Sequence, residues 1–322
     1  MLPEIRKLTA GRSLVVMGIV VLLVSILFMT WGARGNWSFV LPFRGAKLAA
    51  MLLVGTAIAV STVLFQTITN NRILTPSIMG FDALYGLIQT TLVFTLGAAR
   101  VSTLDPRLMF VAECGIMILF SCLLYRWLFS GAMRSLHLLM LVGIIFGVLF
   151  RSLSGFLQRI IDPNEFIVLQ DRLFASFNTV DAGLLGISTL LVALALLLVF
   201  RLFSTFDVLA LGRETAIGLG VDHRRVTTTI LVAIAVLVSV STALVGPVTF
   251  FGLLVASLAH RLMPVDRHRW ILPAAALLAI IALVGGQLIL ERLLALDTAL
   301  GVVIEFVGGL FFLFLLLRKT VR

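Results

Sequence analysis

Three carboxylates interrupt stretches that are otherwise apolar: Asp82, Glu113 and Glu305. An acid in such a setting either carries a proton or cation through a membrane or makes a hydrogen bond across a helix interface. A proton- or sodium-coupled carrier ordinarily places acids near the midplane of several helices, and three scattered ones leave both readings open. The four histidines, His137, His223, His260 and His268, have no Cys or carboxylate at metal-ligand spacing, so no metal site is expected. No Ser-His-Asp or paired-carboxylate arrangement stands out. The chain has no GxxxxGK[ST] loop and its lysines are Lys7, Lys47 and Lys319, so it cannot cradle a nucleotide by that route. An enzyme active site is the least favoured reading. No cofactor is expected on this chain, and any ATP that drives it, with its Mg, belongs to another subunit.

Polar chemistry is concentrated in an island from Phe206 to Arg225, FDVLALGRETAIGLGVDHRR. Leu209, Leu211, Ala216 and Leu219 alternate there with Arg213, Glu214, Asp222 and His223. That pattern predicts short amphipathic helices lying flat at the cytoplasmic face, broken at Gly218 and Gly220. Such a segment either rests on lipid or presents a knob to a cytoplasmic partner, and spacing does not choose between them.

The elements that hold these residues follow from composition. Of 322 residues, 61% are hydrophobic and 12% charged, with a mean hydropathy of +1.16; a soluble domain needs about 25% charge. Spanning a hydrocarbon core of about 30 Å takes about 20 apolar residues. Runs near that size fall at 14–31, 46–67, 80–99, 107–129, 135–155, 183–203, 226–245, 247–262, 270–290 and 299–317. The predicted fold is therefore all-α: one polytopic membrane bundle over 1–322, with about ten transmembrane helices and short cytoplasmic helices between the sixth and seventh. The eighth run is short and follows Gly246-Pro247 directly, which predicts a broken or partly re-entrant helix. The first run, behind Arg6, Lys7 and Arg12, lacks a small-x-small cleavage site before Trp31 and is expected to be a retained span.

With the N-terminus inside, sixteen of the 25 basic residues fall on the cytoplasmic side, Arg134, Arg318, Lys319 and Arg322 among them, against nine outside, which include Arg34. Both termini are thus expected in the cytoplasm, and the net charge of +10 has an explanation in topology and anionic headgroups. No basic stripe with interleaved aromatics suggests nucleic acid. Cys114 and Cys122, eight apart, share a helix face and are expected to be buried small apolar residues. Gly143 and Gly147 form a small-xxx-small pair whose expected meaning is close packing.

Four ordered motifs go further: LGRETAIGLGV, GPVTFFGLL, DRHRW with Pro273 behind it, and DTALGVVIEFVGGLFFLFLLLR, preceded in the first half by GTAIAVSTVLFQTITNNRILTPSIMGFDALYG. Over about Arg44 to Arg318 the chain resembles the permease subunit of type II ABC importers, the family that takes up ferric siderophores, haem and cobalamin. The resemblance implies that Leu211, Gly212, Arg213, Glu214, Ala216, Leu219, Gly220 and Val221 couple the permease to a cytoplasmic ATPase dimer. Arg44 and Lys47, before the second helix, and Arg292, before the last, would dock an extracytoplasmic binding protein; ordinary headgroup anchoring is the alternative. The loop Thr69 to Pro76 would help close the cytoplasmic end of the path, with Asn70, Asn71 and Leu74 in the gate, although the asparagines also suit a helix C-cap and turn. A path for a large polar chelate should be wet, so Thr62, Gln66, Gln89 and Ser152 are plausible lining residues.

Departures from the family pattern refine this. FFGLL followed by Val255, Ala256 and Ser257 stands where the family has a Pro-His, and Ala299 replaces a proline. With TNNRILTPSIMGFD and QDRLFASFN, these resemble the siderophore branch whose importers pair two different permeases. That favours a ferric siderophore over haem or cobalamin and a heterodimer over a homodimer, in a bacterial cytoplasmic (inner) membrane. The external segment from Ser154 to Asp181 mixes Arg159 and Arg172 with Asp162, Glu165, Asp171 and Asp181, and so selects no ligand charge. A proton-coupled carrier, a bare-metal permease and a purely structural subunit are the rival readings.

Overall fold

The computed structural model of the chain describes residues 9–33, 35, 37–130, 136–178, 180–294 and 300–320. The expectations on Arg6, Lys7, Arg34, Arg134, Arg322 and the 297–299 stretch with Ala299 lie outside the described residues, as do the side chains of His137, Arg318 and Lys319. The elements are α1 (Ala10–Thr30), α2 (Trp37–Thr69), α3 (Phe81–Leu96), α4 (Ala98–Val101), α5 (Pro106–Ser130), α6 (Leu136–Gln158) and α7 (Pro163–Leu173), then α8 (Ala182–Arg201), α9 (Phe203–Leu209), α10 (Arg213–Gly218), α11 (His223–Val245), α12 (Phe251–Leu262), α13 (His268–Arg292) and α14 (Leu300–Thr320), with a 3-10 turn at Pro76–Met79.

Seven of these helices, α1, α2, α5, α6, α8, α11 and α13, are long and apolar enough to cross a membrane. Three shorter apolar helices, α3, α12 and the Leu300–Leu313 part of α14, complete the ten that hydropathy predicts. At 1.5 Å per residue the twelve residues of α12 cover about 18 Å, less than a bilayer core. Its brevity has a local cause. Gly246 ends α11 at φ 96°, and Pro247 follows with no amide hydrogen to continue the ladder. A Cβ on Gly246 would also meet Ala175 Cα at 3.0 Å, so a side chain there would be strained twice over.

Buried α2 and α11 form the centre. They pack on each other, α2 also on α13 and α11 also on α5 and α8, while α1 lies outside against α13. Helix starts are written in the sequence as carboxylate caps: Asp162 accepts from Asn164 N at 2.8 Å for α7, Asp181 from Gly183 N at 2.7 Å for α8, and Asp222 from Arg225 N at 3.1 Å for α11. The pair Gly143 and Gly147 does mark a close approach. Its partner is the 3-10 turn and Gly80, for a Cβ on Gly143 would lie 2.8 Å from Met79 Cα. Cys114 is buried and its thiol faces the Ser239 carbonyl at 3.7 Å, whereas Cys122 is half-buried.

One boundary departs from expectation. The apolar run predicted to start at 46 belongs to a helix that starts at Trp37 and runs through Pro42, which sits within its second turn. Arg44 and Lys47 are thus inside α2, and not before it.

Candidate functional site

The bundle has two ends of different chemistry. At one, α8 passes through α9 and α10 into α11. Gly212 at φ 96° and Gly220 at φ 85° make the turns on either side of α10, so the breaks fall at 212 and 220. Gly218, predicted as a break, is the last residue of α10. The second turn is closed by Val221 N donating to Ala216 O and Gly220 N to Ile217 O, both at 3.0 Å. Phe206, Leu209 and Ala216 face inward and are buried. Leu211, Ile217 and Leu219 face outward, 61%, 50% and 62% exposed, beside exposed Arg213 and Glu214. An elbow that shows three aliphatic side chains outside the crossing helices is a surface suited to a partner.

The elbow is tied to the bundle by a chain of polar contacts that sequence reasoning did not find. Asp207 of α9 accepts from the backbone N of His268 at 2.9 Å and from its ring Nδ1 at 2.6 Å. Since the carboxylate can only accept, Nδ1 carries the hydrogen. The other ring nitrogen, Nε2, lies 2.7 Å from Thr67 Oγ1 near the end of α2. Partial burial pushes the Asp207 carboxyl up, but the hydrogen bonds and charge of His268 outweigh it, and the group titrates below the usual carboxylate range. The residues are too far apart in sequence for local spacing to reveal them.

The predicted gate loop lies at this same end. Asn70 adopts φ 49°, and the Asn71 side chain accepts from Ile73 N at 3.0 Å, making the turn that the sequence suggests. Gln66 donates to the Arg72 carbonyl at 2.8 Å, and Leu74 N reaches Asn71 O at 3.4 Å. Arg72 then bridges to Asp266 at 3.3 Å, while His260 contacts the same carboxylate at 3.2 Å. Burial raises the Asp266 carboxyl less than His260 and Arg72 lower it. The loop is thereby fastened to the α12–α13 connection.

At the opposite end the structure brings Arg44, Lys47 and Arg292 together, though not as exposed cations. Arg44 is buried, and its Nη1 donates to the carbonyls of Phe28, Met29 and Trp31 at 3.1, 3.1 and 2.9 Å, satisfying groups that the end of α1 leaves open. Lys47 donates to Asn178 at 2.9 Å and pairs with Glu291 at 3.0 Å. Arg292 is half-buried, its guanidinium against Gly32. Sequence reasoning missed Glu291, one residue before Arg292.

The four predicted path residues do not meet in one channel of the chain. Thr62 is buried beneath Gly252 and lines a small cavity with Asp82 and Thr249. Gln66 turns to the gate loop. Gln89 binds Glu113 at 2.6 Å, and Ser152 is exposed on α6. Uniformly apolar helices carry no rotational signal, which is why hydropathy cannot assign these faces. Of the flagged acids, Asp82 accepts from Thr249 at 3.2 Å. Among the described residues no group of three His, Cys, Asp or Glu is arranged to hold a metal.

These features can be set beside known proteins. A model of the FecCD transport family matches residues 8–318, nearly the whole chain. The chain belongs to the FecCD transport family. Within the family, it is 48% identical over 286 residues to the petrobactin import system permease protein YclO of Bacillus subtilis, covering 89% of this chain and 91% of that one. It is 37% identical over 276 residues to the petrobactin permease FatC of Bacillus anthracis, covering 86% and 78%. The hemin permease HmuU of Yersinia pestis is more distant, at 28% over 92% of this chain and 89% of its own. A solved inward-facing structure of a metal-chelate type ABC transporter superposes with a TM-score of 0.84 at 19% identity, covering 96% of this chain and all of that one, and shows the same fold. The FecCD chain is thus a multi-pass membrane transport protein of permease type.

Proposed function

We propose that this FecCD chain is one permease half of an ATP-driven importer for a ferric siderophore of the petrobactin kind. The observation that carries this reading is the 48% identity, sustained over 89% of the chain, to a petrobactin import permease. The chain contributes a wall of the translocation path and no catalysis. ATP and Mg act on a separate pair of cytoplasmic ATPases. A second, different permease completes the membrane portion, and an extracytoplasmic binding protein delivers the chelate. The protein sits in the cytoplasmic membrane with both termini inside.

The elbow of α9 and α10 supports the coupling role. Leu211, Ile217 and Leu219 are exposed outside the crossing helices, and the Asp207–His268–Thr67 contacts would transmit the elbow's movement to the end of α2 and the gate loop at Asn70, Asn71 and Leu74. Arg292 serves binding-protein docking most directly, being less buried than Arg44 and Lys47; those two brace the same corner. Exposed charges there would steer encounter more than they hold it.

The test is uptake of iron-55-labelled siderophores, petrobactin among them, into proteoliposomes holding both permeases, the ATPases and the binding protein. Uptake should require ATP and prefer one siderophore. Uptake that ignores ATP and follows an imposed pH gradient would instead support a carrier using Asp82, Glu113 or Glu305.

A further inference from the structure

A cavity of about 520 Å³, partly open to the surface, lies under α7, bounded by α3, α5, the start of α8 and the end of α11. Its chemistry is not that of a packing defect, which would be apolar and dry. At its inner end sit Gln89 and Glu113, 1% and 3% exposed. Gln89 donates from Nε2 to Glu113 Oε1 at 2.6 Å. Its own carbonyl, Oε1, is buried and has no hydrogen-bond partner. The Gln89 carbonyl therefore stands without a donor of its own, beside the Glu113 carboxylate.

Two donor groups also line the cavity, the Tyr85 hydroxyl and the Arg172 guanidinium. Tyr85 gives its hydroxyl hydrogen to the Arg172 carbonyl at 3.3 Å. Arg172 directs Nη1 at the Met109 sulfur at 3.7 Å. Nearer the mouth, Asp171 and Asp181 add two carboxylates, the second with the Arg107 guanidinium close by at Gly183. Between them the walls are apolar, with Met109, Phe110, Phe174 and Leu184. The volume is in the range of sites for small organic ligands.

We infer that this cavity binds an amphipathic primary ammonium, its N–H groups donating to Gln89 Oε1 and Glu113 and its apolar body lying along Phe110 and Phe174. The hydrogens matter as much as the charge. A quaternary ammonium neutralises Glu113 but leaves the Gln89 carbonyl unpaired, and a buried acceptor without a donor is penalised. The same chemistry has two sources, a free organic amine or the ethanolamine headgroup of a phospholipid. Occupancy would be felt beyond the cavity, because Ala243 to Gly246 form part of its wall and Gly246 is the break between α11 and α12. The site belongs to one chain's own fold and does not depend on the importer reading.

The experiment uses the assembled transporter in nanodiscs of phosphatidylcholine and phosphatidylglycerol, titrated with dansylcadaverine and followed by fluorescence anisotropy. Saturable binding is expected, at least tenfold weaker for the trimethylammonium analogue of the probe. Glu113→Gln, which keeps the shape of the side chain, should weaken binding at least tenfold. Gln89→Met provides a second variant should the first fail to assemble. Adding phosphatidylethanolamine names the source: loss of probe binding assigns the site to lipid, and unchanged binding assigns it to a free amine. Absence of saturable binding, equal binding of the trimethyl analogue, or binding indifferent to both cavity variants would overturn the inference.

Discussion

The most consequential side chains are those whose charges find partners across the fold. Asp207 is held below the usual carboxylate range by His268, despite partial burial that pushes it up. A carboxyl lowered on folding adds stability above its unfolded value of about 4 and loses that contribution as pH falls through the folded value. The unfolding temperature of Asp207→Asn should therefore lie below that of wild type at pH 6, and the gap should close below about pH 4. The effect is small, because the Asp207 side chain is 47% exposed and solvent screens it. Lys47 and Glu291, 11% and 19% exposed, are less screened. Lys47→Met leaves the carboxylate without its cation and should cost about 1–3 kcal/mol in thermal or denaturant unfolding, whereas adding Glu291→Leu should recover part of the loss. If Lys47→Met and the double variant both unfold as wild type does, the pair contributes nothing to the fold.

Among the elements, the most legible were those set by composition. Ten apolar runs became ten apolar helices, whereas the caps Asp162, Asp181 and Asp222 were not singled out in the sequence, although a carboxylate suits that position. Less legible was α2, whose first turns hold Pro42, Arg44 and Lys47 and so look like a loop to a hydropathy window. The positions of Gly212 and Gly220 as hinges of α10 depend on backbone angle, which one sequence does not reveal. Gly143 separates packing from coupling by experiment. Its Cβ would collide with the backbone at Met79, so Gly143→Val should destabilise the chain by about 1–3 kcal/mol through overpacking. Gly218, in contrast, has open space where a Cβ would point. Gly218→Arg should leave the unfolding temperature of the isolated chain unchanged while weakening co-purification of the ATPase at least tenfold.

For the whole molecule, family membership was readable because GTAIAVSTVLFQTITNNRILTPSIMGFDALYG, LGRETAIGLGV, GPVTFFGLL and DTALGVVIEFVGGLFFLFLLLR follow one another in the order that the family resemblance requires. The rotation of each helix was not readable: Thr62 and Gln66 share a face of α2, Gln89 binds Glu113, and Ser152 is exposed on α6. Nor was the network from Asp207 to Thr67, whose members approach one another only when α9, α13 and α2 meet. The chain also leaves apolar faces on α1, α6 and α14 open, as expected of a multi-pass membrane protein.

The decisive measurement is the initial rate of iron-55 petrobactin uptake into proteoliposomes carrying the full transporter, with and without internal ATP, for wild type and Gly218→Arg. We expect uptake that needs ATP and falls at least tenfold in the variant. Undiminished uptake without ATP, or a Gly218→Arg transporter as fast as wild type with its ATPase still bound, would contradict a permease driven through its α10 elbow.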